Sequence, residues 1–93
     1  MTNVFRDQEK FMRACDQTVE NLNQNQFKMY LKLIKEEYNE LLEAQGLNQN
    51  LDRIEYLPVD EIETLDALID ILVVTIGAIH SMGSDAEGAW KEV

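Results

Sequence analysis

The sequence predicts an all-α fold: a four-helix-bundle-like arrangement whose helices pack within a homo-oligomer. Three observations predict it. Breakers are scarce, with four glycines and one proline in 93 residues, so helices should be long and turns few. Apolar residues recur at helical spacing, and no stretch of useful length alternates as a strand would. The segment from Leu65 to Ile79 is apolar on nearly every side after Asp70. It should therefore be the central, most buried element, and one short chain cannot cover it alone.

The first helix is expected from Val4 to about Val19, where Val4, Phe11, Met12, Cys15 and Val19 share helical spacing. Cys15 reads as a small buried apolar residue. The Asn/Gln cluster from Asn21 to Gln26 reads as a polar connector. A second helix is expected from Phe27 to about Ala44, ending before Gly46. Its apolar face carries Tyr30, Leu31, Ile34, Tyr38 and Leu41, and Lys28, Lys32, Lys35 and Glu43 take the other face.

Gly46 to Val59 is expected to connect, with one helical turn around Leu51 to Tyr56. The third helix has a clean start. Pro58 precedes it, Asp60 is a good N-cap and Glu63 holds the capping-box position. It should run to Met82, with Gly83 as its stop. The same start signal, Ser84 followed by Glu87, opens a short fourth helix carrying Trp90. His80 reads as a satisfied residue near a helix end, and Trp90 and Tyr30 as core or interface.

The chain length fits one domain over residues 1–93. Eight basic residues stand against eighteen acidic ones, net −10. Such a surface repels nucleic acid and anionic lipid. A metal-bridged nucleotide stays open, because a bound cation inverts the local charge. Cys15 is the only cysteine, which excludes an internal disulfide and suits a cytoplasmic setting. No targeting segment is visible at the start, and the apolar run Ile71 to Ile79 is too short to span a bilayer.

Two acidic clusters carry the chemistry: Glu36-Glu37-Tyr38-Asn39-Glu40, and Glu63-Thr64-Leu65-Asp66 continued at Asp70. Both lie inside apolar runs, where a carboxylate is costly unless something pairs with it. Helical projection at about 100° per residue places Glu37 inside the apolar arc of its helix and Glu40 at the edge, with Glu36 outside. The same projection gathers Glu63, Asp66 and Asp70 within about 60°, on a stripe that also holds Gly77. Facing stripes would bring five carboxylates together, and like charges at that range oppose joint ionisation. A divalent cation resolves the conflict. All-oxygen ligands favour Mg²⁺ or Mn²⁺ over zinc or iron, and a polyphosphate is the matching substrate.

Plainer readings stand beside these. Acidic runs on helices are usually solvated faces, Glu63 can simply close the capping box, and Glu36 can offset Lys32 at i−4.

The run Leu33-Ile34-Lys35-Glu36-Glu37-Tyr38-Asn39-Glu40, followed by Glu63-Thr64-Leu65-Asp66 and Asp70 to Gly77, resembles the all-α nucleoside triphosphate pyrophosphohydrolases. These are the MazG-like proteins, related to dimeric dUTPases and to phosphoribosyl-ATP pyrophosphohydrolase. The resemblance covers about residues 27 to 93, including the tail Gly83 to Val93. Its pattern is ExxE, a spacer, then ExxD. The resemblance implies metal ligands at Glu37, Glu40, Glu63 and Asp66, with Asp70 as the alternative bearer of the Asp role, since it directly precedes the apolar run ending in Gly77. It further implies Mg²⁺ or Mn²⁺ as cofactor, a nucleoside triphosphate as substrate, a homodimer or homotetramer, and Glu36 as the group accepting the proton of the attacking water. The chain departs from the family where an arginine often precedes the first motif, here Tyr30, and where an Asn and a Lys usually follow the last helix. Two other classes remain open here: a non-catalytic acidic interaction module that binds no metal, and a member that binds nucleotide without turnover.

Overall fold

The computed structural model describes residues 3–46 and 60–93. All regular structure among them is helical: α1 spans Val4–Ala14, α2 Gln24–Ala44, α3 Glu61–Ser81 and α4 Ala86–Lys91. The expected turn around Leu51 to Tyr56 lies outside the described residues. No helix among them is long and apolar enough to cross a membrane.

α1 is shorter than its apolar spacing predicts. Asn3 caps it, its side chain accepting the Arg6 N–H at 3.1 Å. It ends at Ala14, because Asp16 turns left-handed at φ 58°. The Asp16 N–H then reaches the Arg13 carbonyl at 3.1 Å and the Gln17 N–H the Met12 carbonyl at 2.8 Å. Those two bonds make a Schellman stop, with Asp in the place glycine usually takes. Cys15 falls at this stop and is exposed rather than buried. Val19 stays buried, but from the loop instead of a helix.

The polar cluster expected to be connector is partly helix. Asn23 caps α2 by accepting the Gln26 N–H at 3.0 Å. The Gln26 side chain donates to the Thr18 carbonyl at 2.8 Å and the Ser81 hydroxyl at 2.9 Å, and accepts from the Thr18 N–H at 2.9 Å. One amide thus ties the α1–α2 loop to the end of α3. These residues look like a loop by composition because their side chains, not a periodic backbone, satisfy the turn.

α2 and α3 form the principal antiparallel pair. At one end, the Gln45 amide donates to the Thr64 hydroxyl at 2.7 Å, and that hydroxyl donates to the Asp60 carbonyl. Towards the other end, Tyr30 fills the space over Gly77, where a Cβ would collide with its ring. The Tyr30 hydroxyl donates to Gln17. Met12, Val19, Tyr30 and Ala78 form the buried core, packed by Phe27, Leu33, Ile34 and Val74.

α3 starts as expected, with Asp60 accepting the Glu63 N–H at 3.0 Å. The Asp60 N–H is bonded to the Ala44 carbonyl at 3.3 Å, and the Glu63 carboxylate is exposed. α4 is capped by Asp85 rather than Ser84, the Asp85 side chain accepting the Gly88 N–H at 2.9 Å. It returns to α1 through the Asn3 amide, which donates to Glu87 at 3.0 Å, and through an edge-on contact of Phe5 with Trp90. His80 is buried and its Nε2 meets the Phe5 carbonyl at 2.8 Å, satisfied as expected.

α3 is the central element as expected, packed against the three other helices and richest in buried residues among those described, but most of its large apolar side chains stay exposed within one chain. Its small residues Ala67, Gly77, Ala78 and Ser81 face inward, whereas Ile62 is 81% exposed and Leu65 61%. Helical spacing counts apolar residues but does not say how many neighbours one chain supplies.

Candidate metal centre

The antiparallel pairing of α2 and α3 builds the site. Glu37 and Glu40 lie three apart on α2, so their side chains project from neighbouring turns of one face. Asp70 projects from the middle of α3 towards them. The contact of Tyr30 with Gly77, two turns further along α3, lets the two backbones approach closely enough for carboxylates to meet. Ligand oxygens of Glu37, Glu40 and Asp70 all lie within 4.8 Å of one another.

Glu37 is the strained member. It is half-buried, and its Oε2 is enclosed without a hydrogen-bond partner. Its pKa is pushed up to about 7, first by burial, then by hydrogen bonding and charge from Glu40, and then by Asp70. A buried acceptor without a donor is expensive in a folded chain. Three carboxylates gathered this closely, one of them with an unpartnered oxygen, offer hard donors that fit Mg²⁺ or Mn²⁺. A divalent charge would favour the ionised form that the metal-free site resists. The one imidazole is remote from this chemistry, held against Phe5 at the other end of α3.

Of the residues singled out in the sequence, the structure gathers Glu37, Glu40 and Asp70. It leaves Glu63, Asp66 and Glu36 exposed and outside the group. Asp66 lies one turn before Asp70 on α3, and Glu63 nearly two turns before it. Glu36 forms no ion pair with Lys32 among the described residues. Sequence reasoning named Tyr30 and Gly77 separately but missed their pairing. The signal was available in part: a glycine on the inward stripe of one helix requires a bulky residue or a close backbone on the other.

The sequence model of the family described as phosphoribosyl-ATP pyrophosphohydrolase matches residues 6–93. No curated protein and no solved structure gives a significant match.

Proposed function

Because this chain belongs to the phosphoribosyl-ATP pyrophosphohydrolase family, within the all-α nucleoside triphosphate pyrophosphohydrolases, we propose that it hydrolyses a nucleoside triphosphate, or a phosphoribosyl-ATP-like derivative of one, to the monophosphate and pyrophosphate. The reaction depends on a divalent cation. The observation that carries this reading is the convergence of Glu37, Glu40 and Asp70 around an unpartnered buried oxygen.

Glu37, Glu40 and Asp70 would hold the cation, and Asp66, one turn away on α3, would be a further ligand. When bound, the metal neutralises phosphate charge and lowers the pKa of water. The chain supplies the rest. Two helices hold the carboxylates on rigid backbone, so little reorganisation is needed at the moment of reaction. Glu36 precedes Glu37 and shares a ridge with Glu40, four residues on. It is exposed and ready to accept the proton of the attacking water. Glu63, at the exposed start of α3, extends the acidic rim on the same side as Asp66.

The test is pyrophosphate release from a panel of nucleoside triphosphates and phosphoribosyl-ATP, with Mg²⁺, with Mn²⁺ and with chelator. Metal-dependent release from one or more of them supports the reading. Nucleotide binding without release would mark a binding protein. Absence of both metal and nucleotide binding would leave an acidic interaction module.

A further inference from the structure

Two side-chain bonds hold the ends of the α2–α3 pair. The Gln26 amide donates to the Ser81 hydroxyl at 2.9 Å at one end, and the Gln45 amide to the Thr64 hydroxyl at 2.7 Å at the other. Between them the spacing of the helices rests on packing, and the Tyr30 ring lies in the notch over Gly77. Something must hold that ring in place. Tyr30 is 4% exposed, and its hydroxyl donates to the side-chain oxygen of Gln17. Burial raises the pKa of the hydroxyl, against a smaller lowering by Gln17, so it stays a donor. Gln17 is itself fixed from both sides. Its N–H is bonded to the Met12 carbonyl at 2.8 Å, in the left-handed stop of α1 at Asp16. The next residue, Thr18, is gripped by the Gln26 side chain through its N–H at 2.9 Å and its carbonyl at 2.8 Å. The oxygen that Tyr30 meets therefore sits on an anchored backbone, not on a free loop.

We infer that Gln17, a loop residue outside the gathered carboxylates, is a positioning residue for the metal site: its side-chain oxygen holds the Tyr30 ring over Gly77, and the ring holds Glu37 and Asp70 at the separation a cation needs. The role rests on the reading of Glu37, Glu40 and Asp70 as metal ligands. Its physical basis is the cost of a buried hydroxyl deprived of its acceptor. Without the Gln17 oxygen, the ring tilts outward to reach water and leaves the notch. The helices then lose the contact that sets their spacing, and the carboxylates no longer meet in the same way. A phenyl ring has no such need and stays over Gly77. Removing the acceptor should therefore damage the site, and removing the donor as well should repair it, because replacing both partners by apolar groups of similar shape is nearly neutral.

The probe is Mn²⁺ alone, titrated into the full chain, with helicity and melting temperature recorded for each variant. Gln17 is half-buried in a loop, so Gln17→Leu should keep the fold. It should weaken Mn²⁺ binding about tenfold, the lower end of the loss expected when a group that orients metal ligands is removed. Tyr30→Phe should bind nearly as the parent does, since the half-buried Gln17 amide can turn to water. The double variant Gln17→Leu/Tyr30→Phe should recover most of the lost affinity, which a double-mutant cycle reads as coupling. Asn3→Ala is the control for general loosening. It loses the cap of α1 and the bond to Glu87, so it should melt lower and bind Mn²⁺ as the parent does. A parent that binds no Mn²⁺ would remove the metal site, and the role of Gln17 with it. Where the parent binds, three results would overturn the role of Gln17 and leave the metal site standing: Gln17→Leu as tight as the parent, a double variant as weak as Gln17→Leu, or Asn3→Ala as weak as Gln17→Leu.

Discussion

The ring of Tyr30 occupies the volume that any side chain at Gly77 would need, and this one contact sets how closely α2 and α3 approach. The carboxylates Glu37 and Asp70 come from the same two helices, seven residues from Tyr30 and from Gly77 respectively, so the spacing of the site depends on a contact two turns away.

Gly77→Ala should therefore destabilise the fold and loosen the site together. The added methyl meets the aromatic ring itself, and overpacking of this kind costs about 1–3 kcal/mol. The gain in helix propensity, up to ~1 kcal/mol, offsets part of it. The net expectation is a lower melting temperature with weaker Mn²⁺ binding, read by thermal melts and metal titration. A variant as stable as the parent would show that the ring moves aside without strain.

Glu40→Gln should lower pyrophosphate release on the order of 10²-fold, the scale expected when a positioned electrostatic partner of the transition state is lost. It removes one charge and keeps the shape, so helicity should be unchanged. Glu43→Gln is the control: Glu43 is also an exposed glutamate of α2 but lies outside the gathered group. Equal activity of the two variants would remove Glu40 from the site.

The metal-free protein should lose stability as pH rises from about 4.5 to about 7. Glu37 has its pKa raised across that window, chiefly by burial and then by Glu40 and Asp70. The folded chain thus keeps a proton that the unfolded chain has released, and stability falls with pH wherever the folded state binds more protons. Its contribution is full below the unfolded value and gone above the folded one. Glu37→Gln should flatten this slope. Metal should act in the opposite direction, because ligands must be ionised to bind it. The Mn²⁺-induced rise in melting temperature should grow with pH through the same window. Denaturant melts at a series of pH values, with chelator and with Mn²⁺, check both trends.

Much of the fold was legible because caps and periodicity are local signals. Asp60, Gly46 and Gly83 end or begin helices where the sequence places them. The end of α1 was not legible, because Asp16 adopts a left-handed turn that its residue type permits but does not require. Asn23 and Gln26 look like loop by composition, which cannot show that the Gln26 amide bonds Thr18 and Ser81 at once. Projection of each helix separately put Glu37, Glu40 and Asp70 on inward stripes. It could not say which turn of α3 lies level with Glu37, since that depends on the Tyr30–Gly77 contact. Asp66 and Asp70 share a stripe and differ by one turn, so sequence alone leaves both as partners.

The register of α3 against α2 yields the last prediction. Asp70 is half-buried and gathered with Glu37 and Glu40, whereas Asp66 is exposed and outside that group. In the metal-free chain, Asp70 is held against like charges at some expense in stability. Asp70→Asn removes one of the charges that oppose ionisation of Glu37. The metal-free variant should therefore be as stable as the parent or more so, a usual trade at a functional site. It should also lose most of the stabilisation that Mg²⁺ or Mn²⁺ gives the parent, because a ligand that binds only the folded state stabilises it in proportion to affinity and concentration. Asp66→Asn should leave metal-free stability unchanged and reduce the metal response less, since the three gathered carboxylates remain. Melts of the three proteins with and without Mn²⁺ separate the cases. A larger loss of metal response in Asp66→Asn than in Asp70→Asn would move the second ligand one turn back along α3. A lower melting temperature of metal-free Asp70→Asn, with its metal response intact, would make Asp70 a structural residue.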